Sequence, residues 1–259
     1  PTPTHASALA VQSLTRADLY DALRAGLADF RRAPVYGLFF GAVFSLAGIA
    51  IAWALFVGNA GVWILPVAAG FPLIGPFAAV GLYEVSRRLE AGEPLAWAPV
   101  LGAGFRQRNS QLPFFAVFTV FVFLVWIVLA RVIFAVSFGT ATMTNVTSSF
   151  DILLSAEGLI MFGVGMAVGA VLSALLFSIS VIGVPLLLDR DIDVVTAILT
   201  SLEATKQNRE VMLSWGGVVA LLVVIAMLPL FIGMVVVFPV LGHASWHVYR
   251  KTIASGTPG

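Results

Sequence analysis

The chain has 259 residues, of which 60% are hydrophobic and only 10% charged, with a mean hydropathy of +1.02 and a formal net charge of +1. So few charges could not cover a water-soluble domain of this length, so the expected solvent is a bilayer; the near-neutral balance itself says nothing about nucleic acid, but there is no basic tract and no nucleic-acid partner is expected. With no cysteine, disulfides, Cys-ligated zinc, iron–sulfur clusters and thiol nucleophiles are excluded as well.

Residues 1–17 form a polar tail, and the polar start places no apolar core where a cleavable signal peptide would need one. Thr15 and Asp18 are spaced to cap an amphipathic helix whose Leu19, Leu23, Leu27 and Phe30 share one face, which predicts an interfacial helix with that face toward lipid. A first span is expected from Val35 to Val57 and a second from Val62 to Tyr83, joined by a tight uncharged turn. A third begins near Leu112 and runs to Ala130, and a fourth extends from Gly158 to Leu188. The block from Val211 to Val248 is too long for one crossing and is divided at Pro229 into a fifth and a sixth span.

This topology puts thirteen of the fourteen Lys and Arg residues on one side, leaving only Arg131 on the other. The positive-inside rule makes that side cytoplasmic, with both termini there.

A repeat organises the chain. ALRAGLADFRRAPVY from Ala22, APVLGAGFRQRNSQL from Ala98 and AILTSLEATKQNREV from Ala197 align as interfacial helices, each preceding a two-helix hairpin, and Pro76, Pro185 and Pro239 align near the exits of the even-numbered spans. The expected fold is therefore all-α, a polytopic helical membrane protein of six transmembrane helices in three repeats: 18–92, 93–190 and 191–251, with a C-terminal tail at 252–259. The copies run parallel, unlike the inverted repeats of alternating-access carriers.

Few residues suggest chemistry. His243 and His247 stand one turn apart in GHASWHVYRK, a spacing at which two imidazoles can share a metal ion, and the proline alignment offers Glu84 and Asp193 as further ligands. Without a recognisable ligand set, the pair reads as interfacial hydrogen-bonding residues, and no metal or cofactor is expected. Arg131 is expected to pair with Asp151 or Glu157 as a structural clamp. Gly37 with Gly41, and Gly165, Gly169 and Ser173, recur every four residues and predict close helix packing within the bundle or against another subunit.

The stretches GLFFGAVFSLAGIAI, GPFAAVGLYEVSRRLEAGEPLAW, PLLLDRDIDVVTAI and FPVLGHASWHVYRK together resemble a bacterial family of predicted integral membrane proteins of unknown function, some members of which carry a label as cytochrome c oxidase components. That resemblance, from about Asp18 to Lys251, implies the inner membrane of a proteobacterium and an association with respiratory complexes. Three His in all, with His5 in the tail, are too few to ligate the haems and copper of a catalytic subunit. The expected role is a non-enzymatic accessory, assembly or stabilising subunit, with membrane lipids and respiratory subunits as partners; the alternative is a transporter or channel for a small solute or lipid. Topology reporters fused after Gly259 and inserted within 139–156 are expected to give opposite signals, and matching signals would mean an odd number of crossings.

Overall fold

The computed structural model describes residues 10–58, 66–67, 70–104, 111–139 and 155–253. Both tails, the tip of the first hairpin, Arg106 and Arg108, and most of the outer loop with Asp151 lie outside the described residues. The fold is all-helical. Its elements are α1 (Arg16–Arg32), α2 (Pro34–Val57), a 3-10 turn (Phe71–Ile74), α3 (Gly75–Ala78), α4 (Val80–Ala91), α5 (Trp97–Leu101), α6 (Gln111–Phe138), α7 (Ala156–Ser180), α8 (Gly183–Asp189), α9 (Val194–Gln207), α10 (Arg209–Met227) and α11 (Met234–Thr252).

Among the described residues, four stretches are long and apolar enough to cross a bilayer: Pro34–Val57, Leu112–Phe138, Ala156–Asp189 and Arg209–Met227. Their outward faces carry Trp53, Phe56, Phe114, Val117, Phe121, Ile160, Met166, Leu221 and Val224, all well exposed. In water so much bare apolar surface would drive aggregation, whereas hydrocarbon covers it at no cost.

The other two expected spans look different. In the described part of the second, helix is broken into single turns before α4 begins at Val80, because Pro76 lacks an amide and Gly70 and Gly75 weaken the ladder. Trp126 of α6 donates to the Pro66 carbonyl at 2.7 Å within this irregular stretch. The long apolar block does break around Pro229: α10 ends at Met227, and Leu230 and Phe231 adopt positive φ of 51° and 63°. That left-handed turn is costly for such side chains. Ser45 of α2 helps to hold it by donating to the Phe231 carbonyl at 2.7 Å.

After this turn α11 re-enters the bundle as its most enclosed helix, packed against α1, α2, α4 and α10. Small residues let it in. A Cβ on Gly26 would lie 2.5 Å from the Ala244 backbone, and one on Gly48 would lie 2.6 Å from the Phe231 ring. One on Gly41 would run into the Val235 carbonyl. Pro239 lies inside α11 and supplies no amide to that carbonyl four residues earlier, so the Gly41 Cα–H approaches an acceptor the helix itself leaves open.

The capping box of α1 forms as expected, with Asp18 N–H donating to Thr15 Oγ1 and Thr15 N–H donating to Asp18 Oδ2. Its buried face differs. Leu19, Ala22, Gly26 and Asp29 are buried against the bundle, while Leu23, Leu27 and Phe30 are half-buried, so the seam is rotated by about one residue, roughly 100°, from the leucine stripe. Close approach to α11 favours the small-residue stripe over the bulkier one.

On α9 the buried stripe is Ala197, Ser201 and Ala204, set against α7 and α8. Ser201 bridges the break between those two helices, donating to the Ser178 carbonyl at 2.7 Å and accepting from Ile182 N–H at 3.3 Å. The short α5 packs on α4 through Val100.

The glycine contacts predict a graded response in thermal unfolding in detergent. Gly26→Val is expected to lower stability by about 1–3 kcal/mol, as overpacking does. Gly165→Ala, where an added Cβ meets nothing within 4 Å, is expected to be neutral or slightly stabilising through helix propensity.

Candidate functional site

The second half of α11 brings together three of the buried polar residues of the molecule, Asp29, Ser86 and His243. His247 and His243 stand on one face of this helix, and two residues from other helices meet them: Asp29 from the seam of α1 and Ser86 from α4. His247 Nε2 lies 2.7 Å from Asp29 Oδ2, Ser86 Oγ lies 2.8 Å from the same carboxylate oxygen, and His243 Nδ1 lies 2.8 Å from Ser86 Oγ. Asp29 is 5% exposed, while Ser86 and His243 are fully buried.

The proton count of this chain follows from its acceptors. An ionised carboxylate only accepts, so both His247 Nε2–H and the Ser86 hydroxyl donate to Asp29. With its own hydroxyl hydrogen directed at Asp29, Ser86 accepts from His243 Nδ1–H, which leaves His243 Nε2 unprotonated; that atom has no hydrogen-bond partner among the described residues. A buried bare acceptor on a neutral ring costs less than an unpaired charge. Burial alone would raise the Asp29 carboxyl, but the hydrogen bonds from His247 and Ser86, together with the nearby imidazoles, hold it below the usual carboxylate range. This connectivity is not that of a nucleophilic triad, because Asp29 accepts the hydrogen bond of the Ser86 hydroxyl directly instead of orienting His243.

Around this centre the same helix makes further ties. Tyr249 donates to Asp189 at the end of α8 at 2.6 Å, Trp246 Nε1 donates to Glu90 of α4 at 3.1 Å, and Arg250 reaches Glu90 at 3.0 Å. Lys251 pairs with Asp18 at 2.9 Å; that hydrogen bond, with those from Thr15, holds the Asp18 carboxyl down to about 2. Beyond it, Gln12 N–H donates to the Thr252 carbonyl, and the side chain of buried Asn208 accepts from Leu14 N–H and donates to the Gln12 carbonyl.

The residues singled out in the sequence are distributed as follows. His243 and His247 do share one network, but Glu84 and Asp193 are not part of it. Glu84 is held by Arg87 at 2.8 Å and Arg88 at 2.7 Å, and Asp193 caps α9 by accepting from Thr196 N–H at 2.9 Å. No group of three or more His, Asp or Glu among the described residues is placed to hold a metal ion. Arg131 is exposed on α6, no ion pair joins it to Glu157, and Asp151 lies outside the described residues. Gly37 and Gly41 pack tightly against Phe30 and Val235, and Gly169 meets the Trp126 ring; Gly165 faces open space and Ser173 is exposed. Asp29 and Ser86 escaped the sequence reading. The available signal for Asp29 was its helical spacing from Ala22 and Gly26, a small-residue stripe ending in a carboxylate.

Apolar spans around a buried polar end define a helical integral membrane protein. Residues 64–189 match the model of a family described as predicted integral membrane protein (DUF2189), a family of unknown function. The match covers α4 with Ser86 and Glu90 and ends on Asp189, so it includes the partners that α4 and α8 offer to α11. No curated protein and no solved structure matches the chain.

The lowered Asp29 carboxyl carries a pH signature. The unfolded chain protonates this group near pH 4, before the folded chain does, so its contribution is complete above that pH and is lost as the pH falls through the lower folded value. Asp29→Ala is expected to cost about 1.5–3 kcal/mol for each charged hydrogen bond removed. Asp29→Asn should flatten the loss of thermal stability that the parent shows on acidification below about pH 4. An unchanged acid limb in the Asn variant would remove Asp29 from this role.

Proposed function

We propose that this protein is a non-catalytic six-span membrane subunit, built as three repeats of interfacial helix plus hairpin, that acts as an accessory, assembly or stabilising component of a larger complex in the bacterial inner membrane. The observation that carries this reading is the way the polar groups of the charged end are taken up by one another. Asp29, Ser86, Glu84, Glu90 and Asp189 all bind partners within the chain, and those bonds fasten α1, α4, α8 and α11 together. Such groups serve to lock a shape, and the shape offers broad apolar faces on α2, α6, α7 and α10 to lipid or to neighbouring membrane helices.

Two packing patterns favour the repeat. Ala22, Gly26 and Asp29 on α1 align with Ala197, Ser201 and Ala204 on α9, and both triplets are the buried seams of their helices. Each interfacial helix also leans on the exit helix of another unit, α1 on α11, α5 on α4 and α9 on α8, as in a cyclic threefold arrangement. In α5 the buried positions are instead Val100 and nearby Ala103, so the second copy keeps the partner and shifts the register.

The respiratory association rests on the family resemblance of the four sequence stretches. Mild-detergent purification from the native membrane, followed by mass spectrometry, is expected to recover respiratory subunits in constant ratio to the chain. Recovery of the chain alone, with solute flux through vesicles that contain only this protein, would replace the accessory reading with the transporter.

A further inference from the structure

The bases at the charged end fall into two groups. Arg87, Arg88, Arg190, Arg250 and Lys251 pair with carboxylates of the chain. Arg16, Arg24, Arg31, Arg32, Lys206 and Arg209 are exposed, and no carboxylate among the described residues pairs with them. Within the second group Arg31 and Arg32 have a distinct setting. They end α1, and Pro34 begins the membrane-crossing α2 two residues later, so they stand where that span enters the bilayer.

One turn further into α2 comes an aromatic shelf. The Tyr36 ring lies 4.3 Å from that of Trp97 of α5, and Phe39 meets the same indole edge-on at 5.1 Å. Trp97 and Phe39 remain 39% and 41% exposed, on the side of the molecule that faces lipid. A double base just before the span begins, followed within two turns by exposed rings, suits an amphiphile with an anionic head and an acyl chain; free phosphate would have no use for the rings, and a neutral lipid none for the two charges.

We infer that this corner of α1, α2 and α5 is a binding site for an anionic phospholipid, with Arg31 and Arg32 holding the phosphate and the Tyr36, Phe39 and Trp97 surface lying along the first part of the acyl chain. The occupant is argued from charge complementarity and from continuity with the lipid-exposed face of α2. The inference is independent of the accessory role, since it concerns only the annular lipid of the chain itself.

The test uses the full chain in phosphatidylcholine vesicles that carry a minor fraction of either brominated phosphatidylglycerol or brominated phosphatidylcholine. Bromine quenches indoles it contacts, and the Trp97 share is the difference between the parent and Trp97→Phe. Quenching of that share is expected to favour phosphatidylglycerol, with a local enrichment on the order of tenfold from two headgroup-facing bases. The preference should vanish in Arg31→Gln/Arg32→Gln and persist in Arg31→Lys/Arg32→Lys, which keeps the charge and reports on folding. Equal quenching by both lipids in the parent would overturn the site, as would a preference that survives in the Gln variant. Loss of the preference when inorganic phosphate replaces chloride at constant ionic strength would also overturn it, by making the pocket one for free phosphate.

Discussion

Asp29 is a carboxylate on a seam otherwise made of alanine, glycine and leucine, and α11 is the partner that makes its burial tolerable. A buried carboxylate without donors would be strongly destabilising. Here the donors come from two helices far apart in sequence, His247 on α11 and Ser86 on α4, so the charge is accommodated only when α1, α4 and α11 are all in place. Gly26 sits one turn from Asp29 and admits the Ala244 backbone, which sets the distance over which those side chains must reach. Backbone contact and buried charge thus specify the same arrangement. Losing either would remove the reason for the other.

That coupling explains why α11 can be the least apolar of the long helices and still be the most enclosed. Its second half carries His243, Trp246, His247, Tyr249, Arg250 and Lys251, a composition that reads as surface. Each of these except His243 finds a carboxylate on a neighbouring helix, and His243 finds Ser86. A helix with this inventory would not enter hydrocarbon alone. Packing against α1, α2, α4 and α10 encloses it.

The strongly periodic and strongly apolar features were legible in the sequence: the long spans, the break near Pro229, the capping box at Thr15 and the tight packing at Gly37 and Gly41. What was not legible was which face of α1 turns inward. Leu19, Leu23, Leu27 and Phe30 form the larger apolar stripe, the face expected to meet lipid, yet of these only Leu19 belongs to the buried seam. Helix-to-helix distance decided otherwise, because only the Ala22 and Gly26 side allows backbones to approach, and Asp29 was carried inward with it. The histidine pair was recognisable as a feature of one helix face. Its partners were not, since Asp29 is separated from His247 by most of the chain and the proline alignment pointed to Glu84 and Asp193 instead. Those two carboxylates already had local partners within a turn, Arg87 and Arg88 for one and Thr196 for the other. Local pairs of this kind need no approach of a distant element, and they withdraw a residue from longer-range service.

The distribution of charge also separates what the molecule does for itself from what it can offer to others. Asp18, Asp21, Asp29, Glu84, Glu90, Glu93 and Asp189 are engaged by α11 or by the end of α4, so this part of the acidic charge serves internal fastening. The bases exceed what this fastening consumes, and the surplus lies on the outer face of α1 and at the junction of α9 with α10, the places where spans enter the membrane. A surplus of one sign at an interface needs counter-charge from its surroundings. On the inference drawn above, anionic headgroups of the leaflet supply it where α2 begins, because the polar groups of the chain itself are already taken up by one another.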